Sequence, residues 1–264
     1  MHAESCAYDL VVFDAPVGRP DAVRTGDDTV ILYGGTLSEK RPAVLAGYLS
    51  MDLVQDASMA LASFLSTLQP RRDALFSDLA RSSLAESMLC AGRAMAALDE
   101  PGDLGSCWQR CASLYLGDAI LAIHGYVSSS HALQNLRRIR GTRGEISASI
   151  DTLGLERASR TLLDRMIESA VGLSELVGGV PAAIIRFKAE TLLADHRIPD
   201  CYHYLCSVSR TSLSIAHSKR IRGPSLEHAA RVAFDVERDL GLVRSRAEMV
   251  RDAAGRLLEE MARA

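Results

Sequence analysis

The spacing of the apolar residues changes near residue 43, and this change limits what the chain can fold into. Before it, residues 8–14 and 29–33 form runs rich in β-branched and aromatic side chains, which predict two short buried strands. After it, apolar residues recur every three or four positions, as they do on one face of an α-helix. We therefore expect a mainly α protein with a small N-terminal α/β piece, in which a helical bundle is preceded by a short strand pair.

Glycine and proline divide the helical part into segments, for example at Gly178-Gly179 and Gly223-Pro224. We expect a partial α/β head over residues 1–50 and a helical domain over 51–264. Because two strands alone do not form a stable sheet, the head either gains strands, leans on the helices, or is the remnant of a longer domain. The predicted helices run at about 56–68, 71–98, 106–126, 131–140, 156–177, 181–195, 199–218, 225–234 and 236–262, and residues 141–144 are predicted to form a loop.

Charge and hydropathy exclude several classes of protein. The chain of 264 residues has a net charge of −3, so no global basicity indicates a nucleic-acid partner, and any such binding has to be local. No stretch reaches the ~20 apolar residues of a membrane helix, and the N-terminus lacks the pattern of a signal peptide. We expect a cytoplasmic protein without a membrane partner, in which the six cysteines are reduced thiols.

Four aspartates lie in or beside the two predicted strands: Asp9, Asp14, Asp27 and Asp28. Carboxylates at the end of a strand pair can hold Mg²⁺ together with the phosphates of a nucleotide, because this hard cation prefers oxygen ligands. Asp9, Asp14 and Asp28 are therefore candidate magnesium ligands. The alternative interpretation is that Asp14 and Asp27-Asp28 form turns, which aspartate favours.

This head resembles the nucleotidyltransferase superfamily, in its small two-domain bacterial and archaeal members. In that family a Gly-Ser helix start precedes an acidic-apolar-acidic-apolar strand, a third acidic residue follows on a neighbouring strand, and a helical domain comes next. Here residues 5–13 resemble that strand, with Asp9 in the place of its second carboxylate. Asp28, just before Val30, matches the third carboxylate, and residues 51–56 resemble the segment that leads into the helical domain.

The resemblance covers roughly residues 5–60 and has two departures. Ala7 stands at the first carboxylate position, and no Gly-Ser motif precedes it. The resemblance implies Asp9 and Asp28 as catalytic residues, in a degenerate or N-terminally truncated nucleotidyltransferase-like protein that binds a nucleotide phosphate with Mg²⁺. Two-metal transfer needs a carboxylate set that clamps the attacking and leaving oxygens, so enzymatic activity stays an open question at this point.

Arginines flank the predicted loop at 141–144. Arg137, Arg138 and Arg140 are candidate phosphate-binding residues, since guanidinium groups can neutralise phosphates or an RNA backbone. The alternative is a solvated helix end, where cations suit the C-terminal dipole. A second cluster with the same two interpretations precedes Gly223-Pro224 and contains Arg210, Lys219, Arg220 and Arg222.

Cysteine and histidine patterns have a chemical and a packing interpretation. Cys107 and Cys111 are four residues apart on one helical face, which suits half a metal site or a helix–helix contact. No second pair completes a tetrahedral set. Cys201, His203 and Cys206 could bind zinc, but these three positions do not share one face of a helix. We expect packing roles for both groups.

The runner-up function is a non-enzymatic helical module for protein interaction or oligomerisation. It is motivated by the helical content and by the lack of a complete catalytic set. Apolar residues of the last predicted helix offer a seam for a homodimer: Val243, Met249, Val250, Leu257 and Leu258. Within another apolar helix, Asp118 needs a partner if it is buried, and Arg110 is one candidate two turns earlier.

Overall fold

The computed structural model describes residues 8–14, 19–25, 28–98, 104–236 and 238–263. It confirms a mainly α chain with a small N-terminal sheet. The strands are β1 (Tyr8–Phe13), β2 (Asp21–Thr25) and β3 (Asp28–Gly35). β3 lies in the middle, parallel to β1 and antiparallel to β2.

The strand β2 was not predicted from the sequence. Its residues are Asp-Ala-Val-Arg-Thr, with Pro20 in front, and this composition is closer to a turn than to a buried strand. The strand β2 pairs with β3 in a register that places Ala22 opposite Ile31. The hydrogen bonds of this pairing stabilise a strand that the local sequence does not predict. The third strand gives the head the minimum that a sheet needs for stability.

The helices follow the predicted pattern closely, with two additions, at residues 42–48 and 143–151. Residues 141–144 do not form a loop throughout, because a helix begins at Arg143, directly after Thr142 in the left-handed conformation with φ of 41°. The helices are α1 (Pro42–Tyr48), α2 (Ala60–Leu68), α3 (Arg72–Ala97), α4 (Gly105–Ile123), α5 (Ala132–Arg138), α6 (Arg143–Asp151), α7 (Arg160–Val177), α8 (Ala182–Ala194), α9 (Ile198–Ser218), α10 (Pro224–Ala233) and α11 (Leu240–Arg263).

The helix α4 forms the centre of the bundle. It is apolar nearly all round, as expected of a helix that other helices surround, and Leu116, Ala119 and Ile120 are fully buried. It packs on α3, where small residues such as Ala91 and Ala112 let the two helices approach closely. No helix in the described ranges is both long and apolar enough to span a bilayer.

One face of the sheet packs against the helices. Val11 and Phe13 contact a cluster that includes Leu45 and Tyr48 of α1 and Leu75 of α3. The Phe13 and Tyr48 rings meet edge to face, with centroids 4.8 Å apart. The opposite face of the sheet is open, with Leu10 and Val23 exposed. The sheet therefore depends on the helices on one side only.

The apolar residues expected to form a homodimer seam lie on α11. Val243, Val250 and Leu257 are buried within the same chain, where α11 packs on α3, α4 and α6. Leu258 packs against the same core, and only Met249 among the five is exposed. These side chains stabilise the bundle itself, because the helices of this chain already cover them. The homodimer through helices stays a prediction, as does the domain boundary at residue 50.

Candidate functional site

An ion pair joins the head to the helical part. Lys188 of α8 donates from Nζ to Oδ2 of Asp9 in β1, at 2.8 Å. The same ammonium is 3.4 Å from the hydroxyl oxygen of Tyr33 in β3. The lysine side chain is 11% exposed and the aspartate 48%, so the pair lies at the rim of the junction with its carboxylate open to solvent. We call Asp9, Tyr33 and Lys188 the junction site.

Strand alternation explains why these groups meet. Asp9 is paired with Ile31, and Val11 with Tyr33, so the side chains of Asp9 and Tyr33 leave the sheet on the face that packs on the helices. Lys188 Nζ lies 5.9 Å from the centroid of the Tyr33 ring. Burial raises the pKa of Tyr33, and the neighbouring Lys188 ammonium opposes that rise. The phenol therefore stays protonated at neutral pH and can serve as a hydrogen-bond donor.

The structure does not bring Asp9 and Asp14 together. Asp14 follows the last residue of β1, with its N–H bonded to the Gly35 carbonyl at 3.1 Å and a left-handed φ of 54°. Asp14 is five positions after Asp9, which corresponds to roughly 16 Å at 3.3 Å per residue of strand. A single ion cannot contact two carboxylates so far apart. Asp14 therefore matches the turn interpretation, since aspartate tolerates this backbone conformation better than most residues.

The third candidate ligand, Asp28, begins β3. Its backbone lies three residues before Ile31, the partner of Asp9, while its side chain and all of Asp27 lie outside the described residues. The described residues contain no group of three carboxylate, histidine or cysteine side chains that could hold a metal ion. At Asp9, the ammonium of Lys188 already occupies the place of a cation. Magnesium stays a prediction from the resemblance.

Arg137, Arg138 and Arg140 lie in and just after the last turn of α5, and all three are exposed. The helix α5 packs on α4 and α9, whereas the junction site involves α8. Among the described contacts, no ion pair involves any of the three guanidinium groups. Their phosphate-binding role stays a prediction, and no contact links them to the junction site.

The second basic cluster does not form one surface. Arg210 is buried, with NH1 2.6 Å from Oδ2 of Asp118 and its guanidinium 4.2 Å from the centroid of the Tyr115 ring. Lys219 donates to the Val177 carbonyl at 3.0 Å. Both cations therefore bind groups of the helical bundle. Of the four cluster residues, Arg220 and Arg222 remain for a ligand.

The buried Arg110 does not bond to Asp118, which corrects the partner suggested by the sequence. Its two terminal nitrogens donate to the Tyr202 hydroxyl at 2.6 Å and to the Asp235 carbonyl at 2.8 Å. Eight residues along a helix correspond to roughly 12 Å. Asp118 instead faces α9, where it forms an ion pair with Arg210.

The five cysteines within the described residues lie in the core, which confirms the packing interpretation. Cys107 and Cys111 are fully buried. Burial raises the pKa of Cys201 and of Cys206 to about 12, so the reactive thiolate form is rare at neutral pH. Burial also lowers the pKa of His203 to about 4, which keeps that imidazole neutral. These groups form part of the bundle interior.

A groove with a volume of about 870 Å³ runs beside β1. Its walls are residues 9–14, the irregular segment 50–58 and the beginning of α2, and we call it the β1 groove. Among the described residues that line it there is no lysine or arginine, and its charged side chains are all aspartates. Such a groove attracts cations and repels free phosphate. The four aspartates are Asp9, Asp14, Asp52 and Asp56.

In comparisons with known proteins, no family, no curated protein and no solved structure matches this chain. The sequence had given no role to Lys188, and the one available signal was its rarity, since it is one of three lysines in a chain whose cations are otherwise arginines. Tyr33 was interpreted only as a strand residue.

Proposed function

We propose that the protein is nucleotidyltransferase-like in descent and binds a nucleotide by its phosphates at the junction site. The ion pair between Lys188 and Asp9 carries this proposal. A lysine ammonium is a compact charge with three donors and is well suited to phosphate. Asp9 holds that ammonium at the solvent-facing rim of the junction, where a phosphate oxygen can replace the carboxylate.

The same contacts argue against two-metal transfer of a nucleotidyl group. Ala7 supplies no carboxylate at the first position of the resembled pattern, and Asp14 lies at the far end of β1 from Asp9. Asp9 is neutralised by Lys188, and the side chain of Asp28 lies outside the described residues. Within the described residues, no carboxylate set is left that could clamp both the attacking and the leaving oxygen through metal ions. The proposed role is therefore nucleotide binding, with transfer chemistry reduced or lost.

Isothermal titration of ATP and GTP, with and without Mg²⁺, tests the proposal. In Lys188→Ala we expect affinity to fall by roughly 10- to 100-fold, the value of a hydrogen bond to a charged group. Lys40→Ala is the matched control, because Lys40 is an exposed lysine of the loop before α1. Equal affinity in the two variants, or no binding by the wild type, would refute the proposal.

The variant Asp9→Asn separates two ways of binding. If phosphate displaces Asp9 from Lys188, removing the carboxylate charge eliminates a competitor and affinity rises. If instead Asp9 holds Mg²⁺ as the resemblance implies, the same change removes a ligand and affinity falls in the presence of Mg²⁺ only. We expect the first result, since Asp9 already bonds to Lys188.

A second candidate function is a non-enzymatic module for protein interaction. Exposed apolar side chains beside the sheet favour it: Val54 is 82% exposed, Met59 67% and Leu53 45%. Multi-angle light scattering over a wide range of protein concentrations addresses self-association. A mass of twice the chain that is lost in Val54→Ser but kept in Lys188→Ala would favour this function over nucleotide binding.

A further inference from the structure

The outer edge of β1 carries hydrogen-bonding groups that no strand in the described ranges uses. The sheet order β1-β3-β2 leaves β1 with one neighbouring strand. The N–H of Asp14 donates to the Gly35 carbonyl of β3. Because backbone groups alternate in direction along a strand, those of Asp9, Val11 and Phe13 point away from β3. The consecutive residues 9–14, from both faces of β1, line the β1 groove, so the groove lies along this edge.

An edge of this kind is a template for another strand. Unpaired N–H and C=O groups at a sheet edge readily pair with an extended peptide, and proteins normally shorten, cover or charge such edges. Here the six residues of β1 span roughly 20 Å at 3.3 Å per residue, and the β1 groove runs beside them. The groove gives an added strand space on the side where β1 lacks a partner.

The charged side chains of the groove indicate which kind of ligand can bind there. Asp56 is engaged within the chain, since its carboxylate accepts from the Ala62 N–H at 2.8 Å and from the Ser58 hydroxyl at 3.3 Å. Asp9 is bonded to Lys188. Asp14 and Asp52 remain as exposed carboxylates of the groove. The occupant that complements them carries positive charge.

We propose that the β1 groove binds an extended segment of another protein, which adds to β1 as a strand and offers lysine or arginine side chains to Asp14 and Asp52. Its alternate apolar side chains contact Leu10, Leu53 and Leu61 of the groove. A second copy of this chain is a poorer occupant. Pairing of two β1 edges would bring two aspartate-lined grooves together, and charges of the same sign repel. The two proposed surfaces share Asp9, whose carboxylate belongs to the junction site and whose backbone lies on the edge of β1.

Two labelled peptides test the charge requirement by fluorescence anisotropy. One is a blocked hexapeptide that alternates lysine with valine, and the other replaces each lysine by glutamate. We expect the lysine peptide to bind and the glutamate peptide to bind at least tenfold more weakly. Asp14→Asn and Asp52→Asn should each weaken the lysine peptide roughly two- to fivefold, as for an exposed ion pair. Asp151→Asn, at an exposed aspartate of α6, is the control and should change nothing.

Amide hydrogen exchange, followed by NMR with the lysine peptide added, tests the position of the strand. The amides of Val11 and Phe13 should gain protection, while that of Val12, which points toward β3, should not change. Protection elsewhere, equal binding of both peptides, formation of a dimer in place of a complex, or no anisotropy change at millimolar protein would each overturn the proposal. Nucleotide titration is a separate measurement, so either proposal can fail alone.

Discussion

Asp118 of α4 and Arg210 of α9 form an ion pair inside the helical bundle, with Oδ2 and NH1 2.6 Å apart. The two side chains are only 14% and 11% exposed. The guanidinium also lies over the ring of Tyr115. The pair fixes how α9 sits on α4, because either charge would be costly to bury alone.

Removal of one partner should therefore destabilise the protein strongly. We expect Arg210→Met and Asp118→Asn each to lower the free energy of unfolding by about 3–5 kcal/mol, since the remaining charge stays buried without a counterion. Urea unfolding followed by circular dichroism measures this. The control is Arg160→Met, which removes an exposed (i, i+4) pair with Asp164 and should cost less than about 1 kcal/mol.

The double variant Asp118→Leu with Arg210→Met provides a further check. If the loss in the single variants comes from an uncompensated charge, the double variant should recover much of the stability, because a buried ion pair is often no better than an apolar pair of similar volume. Additive losses in the double variant would contradict this explanation.

Two glycines in helices should respond to alanine in opposite ways. A Cβ at Gly117 of α4 would come within 2.9 Å of the Ser149 hydroxyl and 3.3 Å of Leu136 Cδ1, so the buried neighbours must move. We expect Gly117→Ala to cost about 1–3 kcal/mol of unfolding free energy, as overpacking does. At Gly172 of α7 nothing lies within 4 Å of the added Cβ. Gly172→Ala should therefore stabilise the protein by roughly 0.5–1 kcal/mol, because alanine loses less entropy on forming a helix.

Thermal unfolding of both variants measures the difference. A melting temperature that rises in Gly172→Ala and falls in Gly117→Ala would support the close packing of α4 on α5 and α6. Equal shifts in the two variants would show that helix propensity dominates and that the approach of Ser149 does not matter.

The local pattern of the sequence predicted most elements and few of the contacts between them. The helices α3 and α9 end within a residue or two of their predicted limits, since apolar periodicity and breaks such as Gly223-Pro224 are local signals. The strand β2 and the helices α1 and α6 were missed. The strand β2 depends on pairing with β3, the helix α1 has only seven residues, and α6 begins inside a glycine-rich segment.

The candidate site was predicted less well than the fold. Asp9 was recognised, but its partner Lys188 lies 179 residues away along the chain. Likewise, Asp118 was expected near Arg110 and instead meets Arg210. A single sequence shows how residues are spaced along one helix. The partners of Asp9 and Asp118 depend instead on how separate helices and strands pack together.

The buried imidazole of His203 should make stability depend on pH. Burial lowers its pKa from 6.5 to about 4, so folding disfavours the charged form. Above pH 6.5 the imidazole is neutral in both the folded and the unfolded chain. Proton binding at His203 therefore does not change the free energy of unfolding in that range. As the pH falls from 6.5 toward 4, the unfolded chain binds a proton that the folded chain excludes, and stability decreases by on the order of 3 kcal/mol. The charges of four neighbouring residues also affect the pKa of this imidazole: Asp118, Arg210, Asp200 and Arg137. The pH range over which stability changes therefore depends on the whole cluster.

Urea unfolding at pH 7 and at pH 5 measures this effect in the wild type and in His203→Gln, which keeps a polar side chain of similar length. The variant should lose less stability between the two pH values than the wild type does. His228→Gln is the control, since His228 lies on α10 and is less buried than His203. An identical pH dependence in the wild type and in His203→Gln would show that other groups set the acid sensitivity, and that the folded chain accepts a proton at His203 more readily than its burial implies.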